Sequence, residues 1–355
     1  MKLKHETWGW MLAFDFFFAG MGGGMLIISG VYSLIYGSGS ATWIAGLLGP
    51  AFVGMGALLL ILELGRPAQM LRVFVKPLTS LIGKGAWGMT LAMGAGLVLV
   101  SFDFDIFPWA GLELGRMFFA LGTIFLGTFV AAYPGVLLGN NKARPFWTGP
   151  GLPPLFFLSS LTTGAAAHIL CELVAPFLSA NLFSVPSGTP ALLETLPIIT
   201  IVLMSLQLVL WPCYLFVKYK GATIPESKAA KRWLGGSIKY TVAFWGGVIL
   251  LGMMVPSGIL TFEGIILQVS GAILDFVAGI QLIGLQVPRW MIRAVDALLT
   301  EQMLKAAGAL LALLGGFIMR NLVVYAGASR TLLPGEEKYR SRLPKGNEAF
   351  LSKLR

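Results

Sequence analysis

The sequence predicts an all-α fold, a polytopic transmembrane helix bundle of about eight spans. Three observations lead there. The chain is 56% hydrophobic and only 12% charged, where a soluble domain carries about 25% charged residues. Its mean hydropathy is +0.80. The apolar runs recur along the whole chain, and most approach the ~20 residues that a helix needs to cross the hydrocarbon core. One membrane domain over residues 1–330 therefore fits better than a string of soluble domains, with 331–355 as a charged cytoplasmic tail.

The first span is 8–36. Lys2 and Lys4 precede it as in a signal peptide, but the stretch is too long for an h-region and lacks a small-residue cleavage site, so a retained helix is expected. Within it, Gly20-x-x-x-Gly24 permits close helix contact. The run Gly20-Met-Gly-Gly-Gly24 does not complete G-x-G-x-x-G and no βαβ unit surrounds it, which excludes dinucleotide binding. Spans two to four are 43–64, 85–102 and 113–138. Spans five to eight are 153–178, 195–217, 240–255 and 303–325. Pro134, Pro176, Pro197, Pro212 and Pro256 lie in or at the ends of spans, where proline kinks or stops a helix and neighbouring helices satisfy the freed carbonyls. The stretch 257–302 is expected to be an interfacial or re-entrant excursion. Residues 264–285 are apolar enough for a ninth span, although Glu263, Gln268, Asp275 and Gln281 interrupt the region. A ninth crossing would also put the basic tail on the side that the charge rule disfavours.

Charge sets the orientation. Arg66, Arg72, Lys76 and Lys84 lie between spans two and three, and Lys142 and Arg144 follow span four. Lys218, Lys220, Lys228, Lys231 and Arg232 follow span six. The alternate loops carry Asp103, Asp105 and Glu113, or almost no charge. With Lys2 and Lys4, this bias places both termini and the basic loops in the cytoplasm. The net charge of +10 then reflects the bilayer, and no nucleic-acid partner is needed to explain it. The chain holds two histidines and two cysteines. Two bis-histidine haems need four histidines, and an iron–sulfur cluster needs about four thiolates. Cys171 and Cys213 lie apart with no C-x-x-C. No haem, no iron–sulfur cluster and no other metal is expected in this chain.

Ionisable groups inside spans cost roughly 2.5–3.5 kcal/mol each on insertion scales and mark functional sites. Asp15 lies seven residues into the first span, hence ~10 Å deep at 1.5 Å per residue. Tyr133 falls near the same level in span four. Glu63 and Arg66 close span two on that side, three residues apart, and Arg320 lies in the corresponding half of the last span. These five groups suit a small polar head group with an apolar tail. A quinone needs a hydrogen-bond or proton donor at each carbonyl, and a phenol and a carboxyl at matched depth supply both. The same residues admit structural roles. Asp15 suits a pair with Arg66, Tyr133 an interfacial aromatic belt, and Arg320 a counter-ion. His168 and Glu172 are spaced i,i+4 in the outer half of span five. They suit either a proton route or a satisfied helix–helix hydrogen bond.

Four stretches resemble the NrfD/PsrC family, the membrane quinone subunits of polysulfide reductase and related complexes. The first is Phe14-Asp-Phe-Phe-Phe-Ala-Gly-Met-Gly-Gly-Gly24. The second is Glu63-Leu-Gly-Arg-Pro67 with Pro77-Leu-Thr-Ser80 and Gly85-Ala-Trp-Gly88. The third is Tyr133-Pro-Gly-Val-Leu-Leu-Gly-Asn-Asn141 with Arg144-Pro145 and Trp147. The fourth is Leu314-Gly-Gly-Phe-Ile-Met-Arg320 with Val324-Tyr-Ala-Gly327. The resemblance implies two four-helix bundles in a prokaryotic plasma membrane, and a menaquinone or ubiquinone site near one membrane face. It also implies a ferredoxin-like iron–sulfur partner docked over that site, with a separate catalytic subunit. Tyr133 matches the family tyrosine that contacts the quinone. Asp15 falls where a polysulfide reductase subunit has a histidine, a departure that touches the protonation chemistry.

The expected function is thus a membrane anchor of a respiratory complex that exchanges electrons and protons between a quinone and an attached iron–sulfur subunit. Asp15, Tyr133, Glu63, Arg66 and Gly20 would form the quinone site. Asp15, His168, Glu172 and Arg320 would carry protons, and Arg72, Lys76, Lys142 and Arg144 would dock the partner. A secondary transporter is the alternative, which predicts an inverted repeat that the sequence does not display. A non-redox scaffold or proton channel is the third reading.

Overall fold

The computed structural model describes residues 9–37, 43–63, 81–141, 144–182, 190–221, 224–269 and 300–327, without the side chains of 63, 176–193 and 224–225. Among them there is no strand. The helices are α1 (Trp10–Tyr36), α2 (Trp43–Glu63), α3 (Leu81–Ser101), α4 (Glu113–Gly139), α5 (Leu152–Leu182) and α6 (Pro190–Tyr219). The short α7 (Ile224–Lys231) is followed by α8 (Ile238–Thr261) and α9 (Glu301–Ala326). Eight of these, all but α7, are long and apolar enough to span a membrane, and the chain is a multi-pass membrane protein.

The helices form two four-helix bundles, with α1 between them. Ala19, Leu26, Val53, Met89, Ala92 and Val130 fill the core of α1–α4. Phe156, Trp211, Phe244, Ala309 and Met319 belong to the core of α5, α6, α8 and α9. The central helix packs on α2, α4, α5 and α9. The glycine run of α1 makes this possible, because its backbone meets others directly. A Cβ on Gly164 would lie 2.5 Å from the carbonyl carbon of Gly24, so α5 crosses α1 there with no side chain between them. Gly37 ends α1 at φ +89°, a conformation that suits glycine. Its N–H donates to Ser33 O at 3.2 Å, and the Arg116 guanidinium donates to the same carbonyl and to Ser33 Oγ.

The spans differ from the hydropathy reading at their ends. The third helix starts at Leu81 rather than 85, since Lys84 is exposed and its charge does not stop the backbone. The sixth starts at Pro190, a residue pre-organised for a first helical turn. Helix α8, the seventh span, runs past both expected ends. Residues Val242–Met254 in it form wide π-type turns, a geometry that relaxes the ladder just before Pro256. The helices continue through Pro134, Pro197 and Pro212. Near Pro134, Ser160 Oγ donates to Ala131 O at 3.1 Å, so a neighbouring helix supplies a donor to the loosened turn.

The start of α1 and the end of α9 lie at one end of the molecule. Phe14 and Phe317 stack edge-on with centroids 4.7 Å apart. Trp147 Nε1 donates to Val323 O at 2.6 Å, joining the α4–α5 connection to α9. Lys218 sits beside it, donating to Pro145 O, Thr148 O and Glu226 Oε1. The chain leaves α8 and enters α9 at the opposite end, where Lys305 pairs with Glu263 at 3.7 Å. Residues 270–299, which hold most of the expected excursion, lie outside the described residues, as does the tail 331–355.

Candidate functional site

Asp15 sits one turn before Ala19 on the face of α1 that meets α2. A Cβ on Gly56 of α2 would lie 3.0 Å from Asp15 O and 2.8 Å from Ala19 Cβ. Ala19 belongs to the same apolar cluster as Tyr133 of α4. Asp15 is 1% exposed and Tyr133 4%, and the carboxyl lies within electrostatic reach of the phenol. The two residues that hydropathy placed at one depth are therefore brought to one side of α1, both out of lipid.

The phenol is positioned from α3. Tyr133 Oη donates to Leu81 O at 3.3 Å, a long bond to a backbone acceptor. Gly85 lies flat against the ring, and a Cβ there would meet Cζ and Oη, with Cε2 at 2.7 Å. Phe129 packs beside it, with centroids 5.8 Å apart. The donor set fits a quinone head group: a buried O–H whose present acceptor is distant, a buried carboxyl, and apolar walls. Glu63 ends α2 at this end of the molecule, its side chain undescribed. Arg66, Arg72, Lys76 and Lys142 lie outside the described residues.

Gly20 and Arg320 fall on the other side of α1. Arg320 is 1% exposed, and its guanidinium stacks 4.3 Å over the Phe156 ring. Nη2 donates to Ser160 Oγ at 2.9 Å and to Phe156 O at 3.4 Å. Among the described residues no carboxylate forms an ion pair with it. A Cβ on Gly20 would lie 2.9 Å from Nη2 and 2.6 Å from Ser160 Oγ, so the missing side chain makes room for the cation. Ser160 in turn reaches Ala131 O, two residues before Tyr133. The predicted set is thus divided, with the carboxyl and phenol in one bundle and the arginine in the other, joined through a serine.

His168 faces α1 from α5. Its Nε2 lies 3.1 Å from Met25 O and 3.2 Å from Ser29 Oγ. A carbonyl only accepts, so Nε2 carries the proton. Nδ1 is the open acceptor, buried without a partner among the described residues. Met25 is ten residues beyond Asp15, about 15 Å along the helix. Glu172, one turn on, is 5% exposed and within electrostatic reach of Tyr32, whose hydroxyl bonds Thr195. Arg144, expected on a docking surface, is turned inward. It is 6% exposed, donates to Gly327 O at 3.0 Å, and stacks 4.6 Å over Trp147.

Hydropathy reasoning passed over Ser160 and Gln207, which are uncharged, and over the positioning role of Gly85. The signal for Gln207 was available, as a lone amide midway along an apolar helix. Among the described residues no group of histidine, cysteine and carboxylate side chains is arranged to hold a metal ion.

Comparison with known proteins gives a consistent answer. Residues 2–294 match the family described as polysulphide reductase, NrfD. The sequence is 25% identical over 268 residues to the C chain of polysulfide reductase from Wolinella succinogenes, covering 70% of this protein and 81% of that one. It is 26% identical over 280 residues to protein NrfD of Escherichia coli strain K12, covering 70% of this protein and 83% of the relative. With eight spanning helices and a family match over most of its length, this chain belongs to the NrfD polysulphide reductase family.

Proposed function

We propose that this chain is the membrane subunit of a respiratory reductase complex, and that it exchanges electrons and protons between a quinone and an iron–sulfur subunit docked at its basic end. A catalytic subunit completes the complex. The observation that carries the reading is the buried carboxyl and phenol, Asp15 and Tyr133, held in electrostatic reach of each other at the end where α1 begins. Membership of a family that includes a component of polysulfide reductase supports a multi-subunit setting. The positive-inside bias supports placing that end in the cytoplasm of a prokaryotic cell.

A quinone bound there supplies two-electron, two-proton redox chemistry. The chain's own residues bind and protonate. Tyr133 Oη, which now donates to Leu81 O, would be the hydrogen-bond donor to a carbonyl oxygen of the head group, and the missing side chain of Gly85 leaves space for its ring. Asp15 takes up or delivers a proton on the same side. Arg320 adds positive potential from across α1, and Ser160 relays its position to the turn that carries Tyr133. His168 Nδ1 offers a proton acceptor farther along α1, the first step of a route towards Glu172.

Asp15→Asn and Tyr133→Phe are each expected to lower quinone turnover by about 10²-fold, the usual contribution of a positioned acid or donor, with assembly of the complex unchanged. Normal turnover in both variants would overturn the assignment. Titrating the purified protein with a quinone analogue separates this function from a scaffold, which gives no saturable binding.

A further inference from the structure

Near the midpoints of the helices of the second bundle lies a cavity that the quinone reading does not use. It is lined by Ser159, Thr162 and Thr163 of α5, Gln207 of α6, Met253 of α8, and Met319 of α9, with small residues completing the wall. All six named side chains belong to buried residues. The hydrogen bonds around it fix which atoms face the space. Thr162 spends its only proton on Leu158 O at 2.9 Å, so it must accept from Gln207 at 2.6 Å. That requires Nε2 of the amide to point at Thr162, as does its second bond to Leu203 O at 3.3 Å. The amide oxygen is then left with no donor among the described residues. Thr163 directs its proton to Ser159 O at 2.9 Å and to Ser160 O at 3.1 Å. The Ser159 hydroxyl makes no hydrogen bond among the described residues.

An amide oxygen and a hydroxyl left unmet in a membrane interior are costly unless something answers them. The cavity volume is about 10 Å³, enough to admit one water molecule. No ionised side chain lines the cavity, so a cation or anion at this depth would lack compensation. We propose that this cavity is a binding site for one ordered water molecule, which donates to Gln207 Oε1 and accepts from Ser159 Oγ. Thr163 Oγ1 offers it a third partner. The water gives α5 and α6 a second polar link at mid-membrane, beside the hydrogen bond from Gln207 to Thr162. This site stands apart from Asp15 and Tyr133 and does not depend on quinone binding.

Two methionines make the site testable, because hydroxyl radicals produced by X-ray radiolysis of a trapped water oxidise the nearest sulfur. In the intact protein, Met253 and Met319 are expected to oxidise at least about tenfold faster than Met25 and Met89, which are also buried but line no part of the cavity. Gln207→Leu is expected to bring the two rates down to those of the controls. Ser159→Ala removes one hydroxyl with little change of volume and is expected to lower them several-fold, which keeps the test open if the leucine variant misfolds. Equal rates at all four methionines in the unmodified protein mean a dry cavity and overturn the proposal. Fast oxidation that both folded variants leave unchanged overturns it too, since the radicals then come from another source.

Discussion

Gly85 shows how one residue without a side chain can set the chemistry of another. Tyr133 needs its ring flat against α3 to bring Oη near Leu81 O, and any Cβ at position 85 would overlap the phenol. Gly85→Ala is therefore expected to displace the ring rather than to loosen the helix. Overpacking of this kind costs about 1–3 kcal/mol, so the variant should melt a few degrees lower. Its affinity for a quinone analogue should fall about tenfold or more, by an energy of the same order. An unchanged dissociation constant, measured beside the melting curve, would show that Tyr133 does not contact the head group. Asp15 and Tyr133 were legible in the sequence because a polar group in an apolar span stands out against its neighbours. Gly85 was quoted in a motif, but its contact with the phenol was not, since one glycine among 45 carries no mark of what lies opposite. Arg144 misled for a related reason. A cation in a loop reads as exposed, whereas its guanidinium is spent on Gly327 O and the face of Trp147.

At the scale of elements, hydropathy located the eight spanning helices found among the described residues, because the bilayer imposes a length and a polarity on each. What it missed is how closely they approach. The crossing of α1 and α5 at Gly24 and Gly164 brings backbone against backbone. A second such crossing joins Gly252 of α8 to Gly315 of α9, inside the stretch of wide turns. Without a hydrophobic force between helices in lipid, such contacts supply much of the association energy. Gly24→Val is expected to push α5 away from α1 and to yield little folded protein, read as loss of the monodisperse peak in size-exclusion chromatography. Gly94 on α3 has open space where a Cβ would stand, with no neighbouring atom within 4 Å, so Gly94→Ala serves as the matched control. It should fold normally, with a change within about 0.5 kcal/mol. Equal behaviour of the two would mean that the α1–α5 crossing does not limit folding. The pairing itself was only half legible: Gly20-x-x-x-Gly24 announced a close contact but could not name its partner helix.

Across the whole molecule, charge is sorted by end. Asp105, Glu113, Glu263 and Glu301 lie at the end where α1 finishes and α9 begins, with Arg116 and Lys305 paired to carboxylates there. Lys218, in the last turn of α6, lies at the other, as do Lys220, Lys228, Lys231 and Arg232 between α6 and α8. Such sorting needs no tertiary contact to be read, which is why it was visible in loop composition while the split of Arg320 from Asp15 was not. Depth is a one-dimensional quantity that residue counting supplies, but the face of α1 on which two groups of equal depth meet depends on packing. The basic end is expected to face the cytoplasm. Single cysteines at Asp105→Cys and Lys228→Cys, both outside the spanning helices, in a protein with Cys171 and Cys213 replaced by alanine, decide the matter. A membrane-impermeant maleimide added to cells whose plasma membrane is intact should label position 105 and spare 228 until the membrane is opened. Labelling of 228 alone would reverse the orientation and move the proposed quinone site and its iron–sulfur partner to the outer face.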